Sequence, residues 1–363
     1  LHPRHFNSPA NFVKGQLVHG LVWSHSESAL LAAAGSGAVT DRTTPVPFSL
    51  QPLQVIRLES LEQLAKDPLG VFLRETLEIS NWRDNRQDDP ATVPLALSRR
   101  ETLRLTRSLL AAFSEGRTAE QWKASALIGG DLPPGGYRTN AVQAITGFAT
   151  DIRTAIGEWA SVTMEDLDVS LDLGDGRVVR GTVPNVHTRE DGTVYLMRPC
   201  LDDYEWQEAR TIVPLHMLLL AASGLSVTDA PVPGLHADGN RAARRNIRPA
   251  GTLGQADSMA RIAALADLFE TARCMPCPSF GGAGALASSD REAAATAFQA
   301  RLSERGFVRS DEAFVYGLAP LFDDVFPEDS PSIGFCSELD RLLSSVVDGR
   351  NNVPKGWRRY EFA

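Results

Sequence analysis

The strongest constraint on the fold is a run of alternating residues, interrupted twice by turns, between residues 167 and 198. Apolar and polar residues alternate over 167–173, and a Gly-Asp-Gly turn follows at 174–176. The chain then runs back over 177–186, and a Glu-Asp-Gly turn at 190–192 leads into a third run at 193–198. A period of two residues is typical of half-buried strands, and Gly and Asp favour tight turns. The sequence therefore predicts a three-stranded antiparallel meander.

Helical patterns surround this meander in the sequence. Apolar residues recur at helical spacing near 58–64, 69–77, 98–113, 118–127, 139–160, 203–218, 255–273, 288–305 and 335–347. Ser60 is predicted to cap the first of these helices, and Ser98 and Thr118 begin two later ones. The expected fold class is mixed α/β, or α+β, with a small mixed sheet flanked by many helices.

Two segments follow neither period. Residues 1–50 are rich in Pro and small residues and begin without Met, so we interpret them as a lead-in from a missing upstream part. Residues 226–254 are rich in Pro, Gly and Arg and are predicted to be a loop. We predict that residues 51–363 form one domain, which contains both the meander and this loop.

A meander of this kind is the frame of the PD-(D/E)xK nucleases, which need an Asp near the end of one strand and Asp/Glu-x-Lys on the next. The carboxylates hold divalent cations, and the Lys positions or activates the attacking water. Here the first acidic position aligns with Pro184, and the second motif falls at Leu196, Met197 and Arg198. Residues 124–354 contain no Lys, and an Arg guanidinium stays protonated and is a poor proton shuttle. We therefore predict a nuclease-like domain with no catalytic residues, no metal and no cofactor.

Acidic residues after the third strand leave an enzymatic alternative open. Asp202, Asp203 and Glu205 lie close together in sequence and could serve as metal ligands of a divergent nuclease. Asp202 and Asp203 also stand at a predicted helix start, where the helix dipole favours negative charge. Alternation places Asp168 and Asp172 on the solvated face of a strand. The structural role is the favoured interpretation for all of these acids.

Four arginines, Arg241, Arg244, Arg245 and Arg248, lie within eight residues of the predicted loop. Such a run can contact nucleic-acid phosphates or the acidic groups of a partner protein, and a plain solvated loop explains it equally well. The net charge of −9 argues against broad, non-specific attraction to nucleic acid. Binding of DNA or of a partner through these arginines is therefore a local hypothesis.

The four cysteines and the hydropathy of the chain indicate the cellular compartment in which the protein is expected. Cys274 and Cys277 form a CxxC pair, but a zinc site needs a second close pair of ligands, and Cys200 and Cys336 are isolated. Buried, small apolar cysteines are the preferred interpretation. Because no secretion signal is visible and no apolar stretch is long enough for a bilayer, we expect a cytoplasmic protein without a membrane partner.

Several of these segments resemble the C-terminal region of the RecC family, the gamma subunit of exodeoxyribonuclease V. Residues 1–6 (LHPRHF) look like the family's QPF-x-x-x-x-F stretch. Residues 58–79, with DPLGVFLR inside them, resemble its L-x-x-L-x-x-F-x-x-x-P-x-x-x-F-L segment. Residues 131–137 (DLPPGGY) are similar to its G-x-L-P-x-G-x-x-G loop, although Arg138 replaces the last Gly. Residues 181–186 (GTVPNV) resemble its G-x-L-x-x-V strand.

The resemblance implies a complex with RecB-like and RecD-like subunits, a helicase-nuclease that processes double-strand DNA ends for recombinational repair. In that family, defunct helicase-like domains precede a C-terminal domain with a nuclease-like fold and no active site. The implied role of this chain is therefore to dock partner subunits and to guide DNA strands, with no catalysis of its own. Scanning for the Chi sequence is not assigned to it, because the helicase-like part is missing.

Two other classes of function stay open at this point. The chain can be a divergent nuclease that uses Asp202, Asp203 or Glu205, or an adaptor that binds protein only. Self-association is expected only of the isolated fragment, through apolar surface that a larger assembly would cover.

Overall fold

The computed structural model describes residues 9–17, 19–22, 49–79, 97–157, 164–198, 200–201, 203–228, 230–235, 242–278, 290–303, 321–328 and 331–347. The chain divides into two compact units, Leu1–Pro45 and Val46–Ala363. In the first unit, a short 3-10 turn covers Pro9–Asn11, and the backbone N–H of Gly15 donates to the carbonyl of Leu21. All elements below belong to the second unit.

The predicted meander is present, and its three strands are antiparallel. They are β2 (Glu165–Asp172), β3 (Val178–Thr188) and β4 (Thr193–Leu196). The carboxylate of Asp172 accepts from the N–H of Gly174 at 2.8 Å, and the carboxylate of Asp191 accepts from the N–H of Thr193 at 2.9 Å. These two turns, each stabilised by an Asp side chain, reverse the chain at the positions that the sequence predicts.

Two short strands complete a mixed five-stranded sheet. β1 (Val55–Arg57) lies parallel to the first half of β3, and β5 (Ser226–Val227) lies parallel to β4. β1 pairs with residues 178–180 of β3 and β4 pairs with residues 186–188, so part of β3 between these two pairings faces neither strand. That gap is filled by the start of the first helix.

The first helix, α1 (Leu58–Lys66), continues directly from β1. The predicted Ser60 cap is wrong. Arg57 is the N-cap residue, and it makes no side-chain cap hydrogen bond. The helix begins at Leu58 because β1, which is paired with β3 up to residue 57, leads directly into it. A Cβ built on Gly181 of β3 would approach Leu58 more closely than real Cβ atoms allow. Glycine at 181 is therefore what permits α1 to lie against the sheet.

Further helices cover the sheet and form its core. They are α2 (Pro68–Val71, continued by a π turn at Phe72–Thr76), α6 (Asp203–Ala222), α7 (Gln255–Cys274) and α10 (Pro331–Ser344). The largest buried cluster joins the buried faces of β2, β3 and β4 to α1, α6, α7 and α10. Within the described residues, no helix combines the length and apolar character that would be needed to cross a membrane.

A separate helical layer consists of α3 (Arg99–Ser114), α4 (Ala119–Ile128) and α5 (Tyr137–Ile156). Ser98 and Thr118 begin their helices, as predicted, and each forms a capping box, with Glu101 and Gln121 respectively. The core of this layer contains Trp122, which is almost completely buried. Farther along the chain, α8 (Arg291–Ser303) and α9 (Phe322–Val325) enclose a cluster of three Phe rings.

The prediction of a continuous loop over 226–254 is wrong for much of that segment. In addition to β5, it contains the hairpin strands β6 (Ala230–Leu235) and β7 (Ala242–Ile247), which pair antiparallel and lie against α5 and α6. Pro and Gly usually indicate a loop, but Pro can occupy a strand that has a free edge. Within the described residues these two strands pair only with each other, so such an edge is available.

The predicted fold class, mixed α/β with a small mixed sheet flanked by helices, is confirmed. The order of helix α1, meander, helix α6 and strand β5 agrees with the expected nuclease-like core.

Candidate functional site

The positions that aligned with the nuclease motifs lie together where β4 ends, beside the interior of β3. Glu165 pairs with Val186 and Leu167 pairs with Val183, so β3 has two residues, Pro184 and Asn185, opposite one residue of β2. This is a β-bulge. Asn185 adopts a positive φ of 55°, and its N–H donates to the carboxylate of Asp166 at 3.1 Å.

The bulge also fixes the chain after β4. The carbonyl of Asn185 accepts from the N–H of Met197 at 3.0 Å, which places Pro184 and Arg198 on neighbouring segments. Leu196 is buried in the main core under the sheet, and Met197 is buried beside Ile152 at the end of α5. Two positions that could carry the second-motif acid are therefore occupied by core side chains.

Arg198 belongs to a cluster of charged side chains that the sequence analysis did not identify. We call it the ion cluster, and its members are Glu62, Lys66, Arg198, Glu208 and His216. The Nζ of Lys66 lies 2.8 Å from Oε1 of Glu208, and Nη2 of Arg198 lies 3.6 Å from the same oxygen. Two permanent cations thus share one carboxylate.

The second half of the ion cluster is the pair formed by Glu62 and His216. Nε2 of His216 lies 2.7 Å from Oε1 of Glu62, and the His216 side chain is only 3% exposed. Burial alone would raise the pKa of Glu62, but the hydrogen bond to His216 and the charges of His216, Lys66 and Arg198 outweigh it and hold the pKa below its usual range. An ionised Glu62 can only accept hydrogen bonds, so Nε2 of His216 carries the proton.

Helix geometry explains why these side chains meet. Glu62 and Lys66 are four residues apart on α1, and Glu208 and His216 are eight residues apart on α6, so each pair lies on one helix face. The pairings 62 with 216 and 66 with 208 require the two helices to run antiparallel. His216 is thus a buried side chain whose polar partner comes from the neighbouring helix.

The chemistry available to the ion cluster is that of a closed ionic network. A divalent metal needs carboxylate oxygens that are free to coordinate it, whereas the Glu62 and Glu208 carboxylates each contact a nitrogen base or cation. No group of three or more His, Cys, Asp or Glu side chains with metal-binding geometry occurs in the described part of the chain.

The acids of the alternative nuclease site are placed differently. Asp202 lies outside the described residues, and Asp203 is the first residue of α6. Glu205 accepts from the N–H of Leu201 at 2.9 Å and pairs with Arg107 of α3. The structure therefore ties Glu205 to the backbone before α6. Asp168, predicted to be solvated, is exposed and accepts from the hydroxyl of Thr182 at 2.6 Å.

The basic run is only partly described. Arg241 lies outside the described residues. Arg244 and Arg245 belong to β7, opposite Pro233 and Val232, and Arg248 is exposed just after the strand. Arg244 and Arg245 therefore lie on a strand of a hairpin and not in the predicted loop.

The cysteines fit the expectation of small buried residues. Cys200, Cys277 and Cys336 are buried, and Cys274 is partly exposed. Burial raises the pKa of the Cys336 thiol to about 12, and burial and the proximity of Cys336 raise the pKa of Cys277 further. The thiol of Cys336 contacts the carbonyl of Pro278 at 3.0 Å.

Replacing Glu208 with Gln should test how far the ion cluster depends on its shared carboxylate. Lys66 and Arg198 would lose their common counter-ion, and we expect the free energy of unfolding to fall by about 1–2 kcal/mol, between the values for exposed and buried pairs. The measurement is urea denaturation at pH 7. Glu120→Gln is the matched control, because its pair with Lys123 is exposed, and equal losses in both variants would contradict the proposed dependence.

A comparison with protein families identifies a relationship for most of this region. The sequence model of the family described as the RecC C-terminal domain matches residues 53–291, which is more than half of the chain and includes the whole ion cluster. A comparison with curated proteins found no match.

Proposed function

Because this chain belongs to the RecC C-terminal domain family, we propose that it is a non-catalytic scaffold and DNA-handling domain. It acts within a helicase-nuclease complex of the exodeoxyribonuclease V type, which processes double-strand DNA ends for recombinational repair. Its partners are RecB-like and RecD-like subunits and the DNA itself, in the cytoplasm.

The observation that supports this proposal is the ion cluster, in which Arg198, at a degenerate motif position, contacts Glu208. Where a nuclease of this fold would present acids, this chain has Pro184 and Leu196, and Arg198 reaches towards Glu208. The charge that a metal would supply is supplied instead by Arg198 and Lys66. Such a network stabilises the contact between α1, α6 and the end of the meander, and both of its carboxylates, Glu62 and Glu208, already have a partner.

The basic segment supports the DNA-handling part of the proposal. Arg244, Arg245 and Arg248 lie in and after β7, on the hairpin that packs against α5 and α6. A cationic strand attached to a rigid helical support is suited to holding a phosphate backbone, which adds affinity without sequence preference.

A binding experiment tests the scaffold role. The subunit that contains this chain is mixed with RecB-like and RecD-like subunits, and we expect it to co-purify with at least one of them. Failure to bind either subunit would remove the basis of the proposal. Binding to a subunit without any affinity for DNA would favour the adaptor that binds protein only.

A DNA-binding series tests the basic hairpin. The double variant Arg244→Ala with Arg245→Ala is expected to weaken binding to single- and double-stranded oligonucleotides and to lower the slope of log K against log salt by about 1, because consecutive strand residues point to opposite faces and one of the two contacts a phosphate. Arg341→Ala is the matched control, since that arginine is exposed and pairs with Glu338 on α10. An unchanged salt slope in the double variant would assign DNA contact to another surface.

A nuclease assay separates this proposal from the enzymatic alternative. With magnesium and linear DNA, we expect no cleavage above the level of a buffer control. Cleavage that requires magnesium and is abolished by Asp203→Ala or by Glu205→Gln would instead establish a divergent nuclease.

A further inference from the structure

Two arginines lie side by side on the exposed face of the five-stranded sheet. Arg57, the last residue of β1, is directly opposite Arg180 of β3. The preceding residues in the same register, Ile56 and Val179, are completely buried. Because successive residues of a strand point to opposite faces, the side chains of Arg57 and Arg180 point away from the core, and both residues are exposed. We call them the arginine pair.

The arginine pair has no counter-ion in the described part of the chain. No described carboxylate forms an ion pair with either guanidinium, and the side chain of Arg57 makes no hydrogen bond there. Nε of Arg180 donates to the hydroxyl of Ser170 at 3.3 Å, which leaves its two terminal nitrogens available. By contrast, Arg177, just before β3, contacts two carboxylates. Like charges directly opposite one another destabilise a sheet, so the arginine pair is a place where a bound anion would be stabilising.

The backbone that carries the arginine pair is held on both sides of it. Before the pair, the N–H of Val178 donates to the carbonyl of Gln54 at 2.8 Å, which fixes the register of β1 against β3. After the pair, Leu58 lies so close to Gly181 that an added Cβ would overlap it. The two guanidiniums therefore stay neighbours without a ligand, and a site that is already formed loses little entropy on binding.

The acids on the same face limit the site to one phosphate of a single strand. Asp168 and Asp172 of β2 are exposed and lie opposite residues 182 and 178 of β3, one pleat to either side of Arg180. Both already accept hydrogen bonds, from Thr182 and from the turn after β2. A duplex has one negative charge about every 1.7 Å of its axis, and a single strand has about half that density. Further phosphates of a duplex would therefore be repelled by these carboxylates.

An apolar row lies beside the arginine pair. Val55 of β1 is 46% exposed and is directly opposite Val178, which is partly exposed. These two residues are two positions before Arg57 and Arg180, so they lie on the same face of the sheet. An inorganic anion would leave this row uncovered, whereas a nucleotide presents a charged phosphate next to the less polar surface of its sugar and base.

We propose that the arginine pair binds one phosphate of a single DNA strand, and that the sugar and base of the same nucleotide cover Val55 and Val178. Guanidinium groups donate two parallel hydrogen bonds to phosphate oxygens, a geometry that an ammonium group cannot reproduce. The site belongs to the five-stranded sheet, so this contact is additional to the one proposed for the hairpin of β6 and β7. The inference rests on the proposed function, because it takes DNA as the ligand.

The test measures binding of the complete subunit to a labelled oligothymidylate strand and to a labelled duplex, over a range of salt concentrations. Arg57→Gln and Arg180→Gln are each expected to weaken binding of the single strand about tenfold, as loss of a hydrogen bond to a charged group does. The double variant should lose little more, because both side chains hold the same phosphate. Its slope of log K against log salt should fall by about 0.7, the value for one phosphate of a single strand, and duplex affinity should change less than about twofold.

A second readout is the stability of the subunit without DNA. Removing either charge of the arginine pair relieves the repulsion between them, so both single variants should have a higher urea midpoint than wild type. Arg341→Gln is the matched control, because Arg341 is exposed and already pairs with Glu338. It should leave DNA affinity unchanged and should not raise the urea midpoint.

Each outcome supports or overturns a different statement. A wild-type subunit that binds no DNA overturns the DNA-handling function and this inference with it. Wild-type binding that both variants retain, with the same salt slope, overturns the arginine pair as a site and leaves the proposed function intact. Variants that keep their DNA affinity but bind the RecB-like or RecD-like subunit more weakly would show that a protein carboxylate occupies the site. A lower urea midpoint in both variants would mean that the protein itself supplies the counter-ion, which also overturns the inference.

Discussion

Replacing Gly181 with Ala is expected to lower the free energy of unfolding by about 2–3 kcal/mol, the upper part of the range of about 1–3 kcal/mol for an over-packed core. The added Cβ would overlap Leu58, whose Cα lies only 3.3 Å from the built position. Leu58 cannot move away cheaply, because it follows β1, and β1 is paired with residues 178–180 of the strand that carries Gly181. Urea denaturation followed by circular dichroism measures the loss.

Gly334→Ala is the matched control for Gly181→Ala. Gly334 lies inside α10, and a Cβ there would meet nothing within 4 Å. Alanine in a helix interior is better than glycine by about 0.5–1 kcal/mol, so the control should gain stability. If both variants changed stability in the same direction and by similar amounts, the approach of α1 to β3 would not be what requires glycine at 181.

The features that the sequence predicted well are those determined by neighbouring residues. The turns at 174–176 and 190–192 are made by Asp side chains that accept hydrogen bonds from residues two positions away. The capping boxes at Ser98 and Thr118 use a partner three residues later. Each of these is complete within four residues, so its pattern is visible in the chain.

The features that the sequence did not predict depend on distant partners. β1 has three residues and becomes a strand only because β3 supplies a partner more than a hundred positions away. The strands β6 and β7 lack a clear alternation, and their packing against α5 and α6 stabilises what the composition alone describes as a loop. Tertiary context overrides local propensity in both cases.

The candidate site also contains some residues that the sequence predicted and others that it did not. The positions Pro184, Leu196 and Arg198 could be aligned because the meander fixes their order. Glu62 and Lys66 were missed, since their partners on α6 are 154 and 142 residues away. One indication was available: His216 lies within an apolar helix, and a buried imidazole requires a polar partner.

Replacing His216 with Ala is expected to lower the free energy of unfolding by about 3 kcal/mol. The Glu62 carboxylate would lose its hydrogen bond to Nε2 of His216, and a charged group left without its partner costs about 3–5 kcal/mol when it is fully buried. Glu62 retains some solvent contact and the nearby charges of Lys66 and Arg198, so the lower end of that range applies. His19→Ala is the control, because His19 is exposed, and it should change stability by less than about 0.5 kcal/mol.

The pH dependence of stability tests whether the ionised form of Glu62 is the species that stabilises the fold. Its pKa in the folded protein is lowered from 4.5, so its contribution is fully present above pH 4.5 and is lost as the pH falls through the lowered folded-state value. Glu62→Gln should therefore be less stable than wild type at pH 7, and the difference should shrink as the pH falls below 4.5. A constant difference across this window would mean that the variant loses packing or hydrogen bonding rather than charge. In that case the ion cluster would stabilise the contact between α1 and α6 without the electrostatic role that we assign to it.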